Sequence, residues 1–391
     1  MTEPLAAFEE NGDKKPFWDK QTGRGYKSPY EMWKEQEGLP TLRGWGVDNL
    51  YTQELSPWES RGGSGIFINL EGSEGFTDSY VCEIPPGKSL KPIRHIYEDN
   101  TFILKGHGAT TVWTDESKKV TFEWGERAFF AIPPNAWYQH HNGSGSEPAR
   151  YVGMTAAPRV INTFKDLDFV FNNPYVFSDR FKGEKDYFKA KTPSTTRGGT
   201  ALHLETNFVA DVREVTPRAD DPKGKGPRGI RGTSCVFDLV NSTMKSHSAE
   251  WPIGTYLNAH RHGPGLHIII LTSKGYSIMW PDGGPVVRVD YGPGSIFVPP
   301  EMWWHQHFNT GPEPLLHLAV GWGSEKPKKG GGAYVYTVSG DYGPGAKWGG
   351  EDVITIEDED PQIHRDFETD LAKGGVPCNM GHVSPHCTQK A

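Results

Sequence analysis

Cysteine is scarce in this sequence, since four residues in a chain of 391 cannot form a disulfide framework, and we expect a reducing, cytoplasmic setting. A basic surplus is also missing, because 41 Lys and Arg face 49 Asp and Glu, giving a formal net charge of −8. Nucleic-acid binders need excess cations to neutralise phosphates. Apolar runs such as Ile268–Leu271 are too short to span a membrane, and the first residues show no secretory signal. We therefore predict a protein that binds neither nucleic acid nor membrane.

Turn-forming residues are abundant instead. The chain has 47 glycines and 31 prolines, and aromatic residues make up 12% of it. Turns at this density, between short apolar or alternating runs, are typical of many short strands and not of a helical bundle. The compact apolar runs exclude a disordered chain. We predict an all-β fold.

Two stretches of the chain repeat one pattern. Segment 95–113 aligns without a gap on 262–280, each beginning with histidine and ending with tryptophan. Each then leads to a glycine, a short apolar run and a Pro-Pro pair, and aligning the pairs at 133–134 and 299–300 requires one gap. Two copies are too few for a solenoid and indicate a duplicated domain. We expect two tandem barrels or sandwiches.

The repeat predicts five regions. An N-terminal extension over 1–45 precedes a first barrel at 46–160, a partly helical connector at 161–210, a second barrel at 211–325 and a C-terminal extension at 326–391. In the last region, Asp360-Pro361 is a helix start signal and Gly374-Gly375 is a stop signal. We expect a short surface helix between them.

Histidines are concentrated in the second copy. His260 and His262 are two positions apart, so a strand places both imidazoles on one face, within reach of one metal ion. His305 follows the second Pro-Pro pair, and an antiparallel strand can bring it opposite them. His267 comes five positions after His262, beyond a Gly-Pro-Gly turn. Imidazole is the commonest transition-metal ligand, so we predict a metal site made of these four residues.

The spacing around the first two histidines resembles the first motif of the cupin superfamily. That motif has a glycine, five residues, His-x-His, and then a glutamate before a second glycine. Here Gly254 precedes His260-Arg261-His262 by five residues, and His267 stands where the family usually has the glutamate. If the spacing is one residue shorter, Leu266 takes that place and His267 points away from the metal.

The region around His305 is similar to the second cupin motif. Gly294, Pro300, His305 and Asn309 have the family's spacing, whereas Met302 replaces a glycine. The chain therefore resembles a bicupin, which implies two tandem cupin-type β-barrels of the double-stranded β-helix or jelly-roll kind. The resemblance covers both barrels and also implies a homo-oligomer.

The first copy has lost most of these histidines. Ile93 stands in the place of His260 and Gln139 in that of His305, so only His95 keeps a ligand position. We predict that the first barrel holds no metal. A rival set, which requires a register slip, consists of His95, Glu98 or Asp99, and His140.

A set of neutral imidazoles leaves the charge of a divalent metal uncompensated, so anionic ligands such as enolates, carboxylates and catecholates are attracted. The set resembles that of gentisate-type, three-histidine dioxygenases. We predict a non-haem Fe(II) dioxygenase that uses O2 to cleave a C–C bond in an aromatic or diketone-type molecule, with Mn, Ni, Zn or Cu as alternative metals. We expect His307, Tyr256 and Trp304 to act in catalysis, His307 as a base or proton donor.

Two other functions stay open. The same scaffold carries metal-dependent lyases, isomerases and decarboxylases that do not use O2. It also serves as a non-catalytic binding or storage protein, although a ligand set kept in only one barrel favours catalysis over storage. Fold alone does not separate these functions.

The C-terminal segment Cys378–Cys387 contains two cysteines and two histidines within ten residues, a composition that can bind zinc. Its spacing is tighter than that of zinc fingers, and it lies at the chain end. We therefore predict a flexible tail without a metal.

Overall fold

The structure is a computed structural model, and it describes residues 27–73, 75–193, 201–223, 225–226, 229–230, 232–263, 265–322 and 352–388. Residues 1–26 of the predicted N-terminal extension, 194–200 of the connector and Pro264 of the predicted turn lie outside the described residues.

Short strands dominate the described chain. The first half contains α1 (Pro29–Glu37), β1 (Thr41–Leu42), β2 (Gly46–Val47), β3 (Ser56–Trp58), β4 (Gly63–Ile68), β5 (Asp78–Ile84), β6 (Asp99–Lys105), β7 (Gly108–Trp113), β8 (Val120–Trp124), β9 (Phe129–Ala131), β10 (Trp137–Asn142) and β11 (Ala149–Thr155). The connecting region contains α2 (Ala157–Phe164), α3 (Leu167–Asn172), β12 (Ala201–Glu205), β13 (Phe208–Val209) and α4 (Val212–Val215).

The second half follows the same plan. It contains β14 (Lys225–Gly226), β15 (Gly229–Ile230), β16 (Thr233–Asp238), β17 (Met244–Trp251), β18 (Ala259–His260), β19 (Leu266–Ile270), β20 (Gly275–Trp280), β21 (Val287–Tyr291), β22 (Ile296–Phe297), β23 (Trp304–Asn309), β24 (Leu315–Trp322), β25 (Val353–Ile354) and α5 (Pro361–Gly374). Within the described ranges, no helix has both the length and the apolar character needed to cross a membrane.

The strand order confirms the predicted fold class of two tandem cupin-type β-barrels. The larger sheet of the first barrel contains β4-β5-β11-β6-β9, and that of the second contains β16-β17-β24-β19-β22 in the corresponding order. The smaller sheets, β10-β7-β8 and β23-β20-β21, also correspond. The connector is partly helical and a helix follows the second barrel, as predicted. Asp360 caps α5, whose first residue is Pro361, and Gly375 ends it with a φ of 63°.

The two barrels exchange strands. β2 precedes the first barrel but pairs with β22 of the second, whereas β13 precedes the second barrel and pairs with β9 of the first. Just before each exchanged strand, β1 and β12 pair in parallel with the first strand of their own larger sheet. The repeat therefore extends upstream of both predicted barrels, and the predicted domain boundaries stay a prediction.

The larger sheets of the two barrels pack on each other. Side chains from both form one apolar layer, in which Phe129 of the first barrel lies 5.8 Å from Phe237 of the second, measured between ring centroids. The carboxylate of Glu98 accepts hydrogen bonds from the backbone N–H groups of Thr243 and Met244, at 2.8 and 3.0 Å. An apolar layer with charged groups bonded at its margin fixes one barrel against the other.

The structure corrects the alignment of the Pro-Pro pairs. Asn135 and Met302 both have a positive φ, 57° and 59°, and they donate their backbone N–H to the carbonyl oxygens of His95 and His262 at 2.8 and 2.9 Å. These equivalent residues have the same spacing as the first part of the repeat, so no gap is needed. The Pro-Pro pairs themselves are one position out of register.

Replacing Met302 with glycine is expected to stabilise the protein by roughly 0.5–1 kcal/mol, because the left-handed conformation is unfavourable for a side chain and costs glycine nothing sterically. Met302 is exposed, so little packing is lost. Urea unfolding measures the change. Met302→Ala, which keeps a Cβ, is the matched control and is expected to give no gain. Equal stabilisation by both variants would contradict the backbone explanation.

Candidate metal centre

Three histidines of the second barrel meet on the inner face of its smaller sheet. His260 in β18 lies directly opposite His305 in the antiparallel strand β23, and their ring centroids are 4.3 Å apart. The ring of His262 lies 4.9 Å from that of His305. One nitrogen from each ring lies within 4.8 Å of the other two, so the three side chains could hold a metal ion.

Backbone carbonyls orient two of these rings. Nδ1 of His260 lies 3.2 Å from the carbonyl oxygen of Asn258, and Nδ1 of His305 lies 2.9 Å from that of Trp303. With Nδ1–H donating to a carbonyl, Nε2 carries the lone pair and is the atom able to bind a metal. His260 and His305 are 4% and 1% exposed, so bulk water is largely excluded from them.

His267 does not belong to this group. It lies on β19, where Leu266 and Ile268 pack into the interior of the second barrel and the alternate residue Ile269 joins the layer between the barrels. The side chain of His267 points to the same face of β19 as that of Ile269. Its Nε2 lies 3.2 Å from Oγ1 of Thr77 in the first barrel. Leu266 therefore faces the interior. The structure thus agrees with the shorter of the two motif spacings, in which Leu266 takes the place of the glutamate. Complete burial lowers the pKa of His267 to about 3.

The structure also places Tyr256 and Trp304 away from the three imidazoles. In β23 the side chains alternate, so His305 and His307 face inward while Trp304 faces outward. Trp304 donates its indole N–H to Asp282 at 2.7 Å and lies beneath the guanidinium of Arg261. The positions of Tyr256 and Trp304 therefore do not support the expectation that these residues act in catalysis.

Tyr256 belongs to a separate polar cluster on the outer face. Its hydroxyl donates to Glu359 and lies 2.9 Å from Nδ1 of His364, while Gln306 donates to the other oxygen of Glu359 at 2.8 Å. Burial, followed by the charge of Glu359, raises the pKa of Tyr256 well above its ordinary value. Burial also raises the pKa of Glu359 to about 7.

His307 lies beside His260, His262 and His305. This position is predicted by its spacing of two residues from His305, which places both side chains on one face of the strand. Its ring centroid is 5.5 Å from that of His305 and 6.2 Å from that of His260. Nδ1 of His307 lies 2.6 Å from the hydroxyl oxygen of Ser277 on the neighbouring strand β20. The hydroxyl therefore fixes the orientation of a ring that lies beside the three potential metal ligands.

Sequence reasoning missed two interior histidines. His317 and His247 lie on β24 and β17, with their Nε2 atoms 3.5 Å apart. Trp251 contacts both His317 and His307, with centroid distances of 5.1 Å and 6.1 Å. The signal was present in the sequence, because His247 alternates in phase with Trp251 along one strand. Six imidazoles therefore line this barrel.

The first barrel has other residues at the equivalent places. The gap-free alignment puts Tyr138 in the place of His305, which corrects the earlier match to Gln139, and puts His140 in that of His307. His95 bonds through Nδ1 to the carbonyl of Tyr97 at 2.9 Å and through Nε2 to the hydroxyl of Tyr138 at 3.0 Å. Burial lowers the pKa of His95 to about 3.

The acidic residues of the rival set have other partners. Glu98 binds the second barrel as described above. Asp99 accepts a hydrogen bond from the hydroxyl of Tyr80 at 2.9 Å. In the described part of the chain, neither residue joins a group of potential metal ligands.

Comparison with known proteins gives similarity in structure only. No protein-family model matches the sequence, and no curated protein matches it significantly. Among solved structures, one of oxalate decarboxylase is 14% identical with a TM-score of 0.48, over 81% of this chain and 89% of that chain. Another, concerned with the Mn(II) centres of the Bacillus subtilis oxalate decarboxylase, is 14% identical with a TM-score of 0.47, over 73% and 79%. The assignment of two tandem β-barrels rests on the strand order described above.

Replacing His267 with glutamine is expected to flatten the pH dependence of stability. The unfolded chain takes up a proton at this histidine near pH 6.5 and the native protein only near pH 3, so stability falls as the pH drops below 6.5. Between pH 7.5 and 5 the wild type should lose about 2 kcal/mol more than the variant. Urea unfolding at both pH values measures this. Metal content is expected to be unchanged, and a loss of metal would restore His267 as a ligand.

Proposed function

We propose that this chain is a metal-dependent bicupin enzyme that binds a small anionic substrate in its second barrel. The observation that carries the proposal is the convergence of His260, His262 and His305 on an interior face lined by further imidazoles. Since Leu266 takes the place of the family's glutamate, all three proposed ligands are neutral. A divalent transition metal held there would keep its full charge for the substrate.

The donor set fits such a metal. Imidazole nitrogens suit Fe, Ni, Zn and Cu, and three protein ligands leave coordination positions open. When bound, the metal would act as a Lewis acid toward a substrate oxygen and, as Fe(II), would supply electrons to O2. Fe(II) is the first metal of the proposal and Mn(II) is the second.

The chain's own residues supply polar groups around this position. His307, oriented by Ser277, is placed to accept or return a substrate proton. The buried Nε1–H of Trp251 has no hydrogen-bond partner in the described part of the structure, and Trp251 stacks on His307. An anionic substrate oxygen would accept a hydrogen bond from that N–H group. A buried donor without a hydrogen bond costs free energy.

Two reaction classes follow from this site. A three-histidine set without a carboxylate favours the dioxygenase that cleaves a C–C bond in an aromatic or diketone-type substrate. The names of the structural neighbours agree better with the alternative, a lyase or decarboxylase that does not use O2. Both classes take an anionic substrate, and a storage protein takes part in neither reaction. The cytoplasmic setting and homo-oligomeric state stay parts of the proposal.

A substrate panel separates the reaction classes. Protein reconstituted with Fe(II) or with Mn(II) is given catechols, hydroxybenzoates, β-diketones or oxalate, and O2 consumption and CO2 release are both recorded. O2 uptake with a ring or diketone substrate supports the dioxygenase, whereas CO2 release from oxalate without net O2 uptake supports the alternative. No turnover with either metal across the panel would contradict an enzyme for these substrates.

Replacing His262 with glutamine is expected to abolish metal binding in the second barrel, because it removes one of three ligands. His95→Gln is the matched control, since His95 occupies the equivalent position in the first barrel, and it should leave the metal content unchanged. Elemental analysis of folded protein measures both. Loss of one metal ion per chain in His95→Gln would show that the first barrel is occupied.

Replacing His307 with glutamine is expected to keep the metal and to lower kcat by roughly 10²–10⁴-fold, the usual contribution of a general acid or base. The pH profile of kcat should lose one of its limbs. An unchanged pH profile would remove His307 from proton transfer.

A further inference from the structure

The C-terminal segment covers the outer face of the smaller sheet of the second barrel. Phe367 of α5 packs on Tyr256 and Phe308, with ring centroids 4.9 and 5.7 Å away. After α5 the chain turns back along the helix, and Cys378 and Cys387 are 7% and 4% exposed. The segment predicted as a flexible tail is therefore packed against the barrel.

The backbone of the barrel is shaped to receive this segment. Asn379 donates its N–H to the carbonyl of Gly254 at 2.9 Å. A Cβ on Gly254 would lie 2.1 Å from the carbonyl oxygen of Pro377, and the φ of Gly254 is 64°. The first glycine of the cupin-like motif is thus required here by a turn and by close approach of the tail.

Four potential ligands meet between the helix and the tail. His364 and Glu368 lie one turn apart on α5, with Nε2 of His364 3.4 Å from Oε1 of Glu368. Sγ of Cys378 lies 3.9 Å from Nε2 of His364 and 3.5 Å from Sγ of Cys387. One ligand atom from each of the four residues lies within 4.8 Å of all the others.

The three separations of 3.4, 3.5 and 3.9 Å are close to those of a tetrahedral zinc site. With Zn–S bonds of about 2.3 Å and Zn–N or Zn–O bonds of about 2.0–2.1 Å, the donors on a tetrahedron are roughly 3.3–3.8 Å apart. The two sulfur atoms are too far apart for a disulfide, whose S–S bond is about 2.05 Å. Two thiolates combined with an imidazole are ligands that select zinc over magnesium or calcium.

The surroundings of His364 and Glu368 add independent support. Nδ1 of His364 lies 2.9 Å from the hydroxyl of Tyr256, which itself donates to Glu359, so Nδ1 is the protonated nitrogen and Nε2 is left to bind a metal. Thr388 donates its N–H and its hydroxyl to Glu368, both at 2.8 Å, which orients the carboxylate. The tail also carries His382 and His386, whose buried Nε2 atoms have no hydrogen-bond partner among the described residues.

We propose that His364, Glu368, Cys378 and Cys387 bind a structural Zn²⁺ that fastens the C-terminal segment to α5 and so to the second barrel. Four protein ligands close the coordination shell, which is the property of a structural site and not of a catalytic one. The site is separate from the histidine trio and does not depend on the function proposed for it. Its contact with the barrel runs through His364 to Tyr256.

Metal analysis of the full-length protein tests the site. After loading with zinc and removal of excess metal, His305→Ala is expected to retain one zinc per chain, because only the barrel site is lost. Cys378→Ser is expected to lose that zinc, whereas the matched control Cys235→Ser, at another buried cysteine, should keep it. Retention of all zinc by Cys378→Ser would overturn the proposal, and failure of metal binding in the barrel would leave this result unaffected.

A second measurement needs no variant at any of the four proposed zinc ligands. Cobalt substitution of His305→Ala should give the near-ultraviolet absorption of a thiolate-to-cobalt transition, and chelation should remove the band and expose two further thiols to alkylation. Absence of the band, or a Cys378–Cys387 disulfide found by peptide mapping of freshly purified protein, would overturn the proposal.

Discussion

The two-residue period of strand β23 is the constraint on which the rest of the second barrel depends. His305 and His307 face inward, and Trp304, Gln306 and Phe308 face outward, so one strand supplies both the histidine-lined interior and the surface on which the C-terminal helix packs. Both faces are buried, and a slip of one residue would put indole and phenyl rings among the imidazoles and imidazoles beneath the helix. The pairing of His260 with His305 fixes this register at the position where the two imidazoles meet.

The same backbone carries different chemistry in the first barrel. There Ile93 and Tyr138 stand opposite each other, and the tyrosine hydroxyl lies 3.0 Å from Nε2 of His95, the histidine equivalent to His262. The buried guanidinium of Arg61 lies 5.5 Å from the ring of Tyr138, and a cavity of about 320 Å³ adjoins it, with nine aromatic residues among the twenty that line it. The first barrel thus buries the positive charge of Arg61, whereas the second barrel brings three histidines together.

Much of this architecture was readable from the sequence because it rests on local patterns. The duplication, the His-x-His pair and His305 follow from spacing, and the helix signals at Asp360 and Gly375 are short-range. The errors arose where spacing had to be converted into side-chain direction. His267 follows a turn, and the conformation of that turn determines which face of β19 the side chain points to. The number of residues after His262 does not determine it. Matching the two Pro-Pro pairs introduced a gap into the alignment of the two copies, whereas the backbones align without one. The proximity of Cys378 and Cys387 to His364 depends on the chain folding back along α5, which no local pattern encodes.

The exchange of β2 and β13 between the two barrels affects how such a chain could evolve and whether it can be divided into two folded halves. Each half completes the sheet of the other, so neither half is self-sufficient, and cutting the chain at its midpoint would expose an open sheet edge on both products. An ancestor with a single copy could have closed the same edges through a domain-swapped homodimer with two-fold symmetry. Gene fusion would then have turned a symmetric partnership into one polypeptide and freed one of its two cavities to diverge.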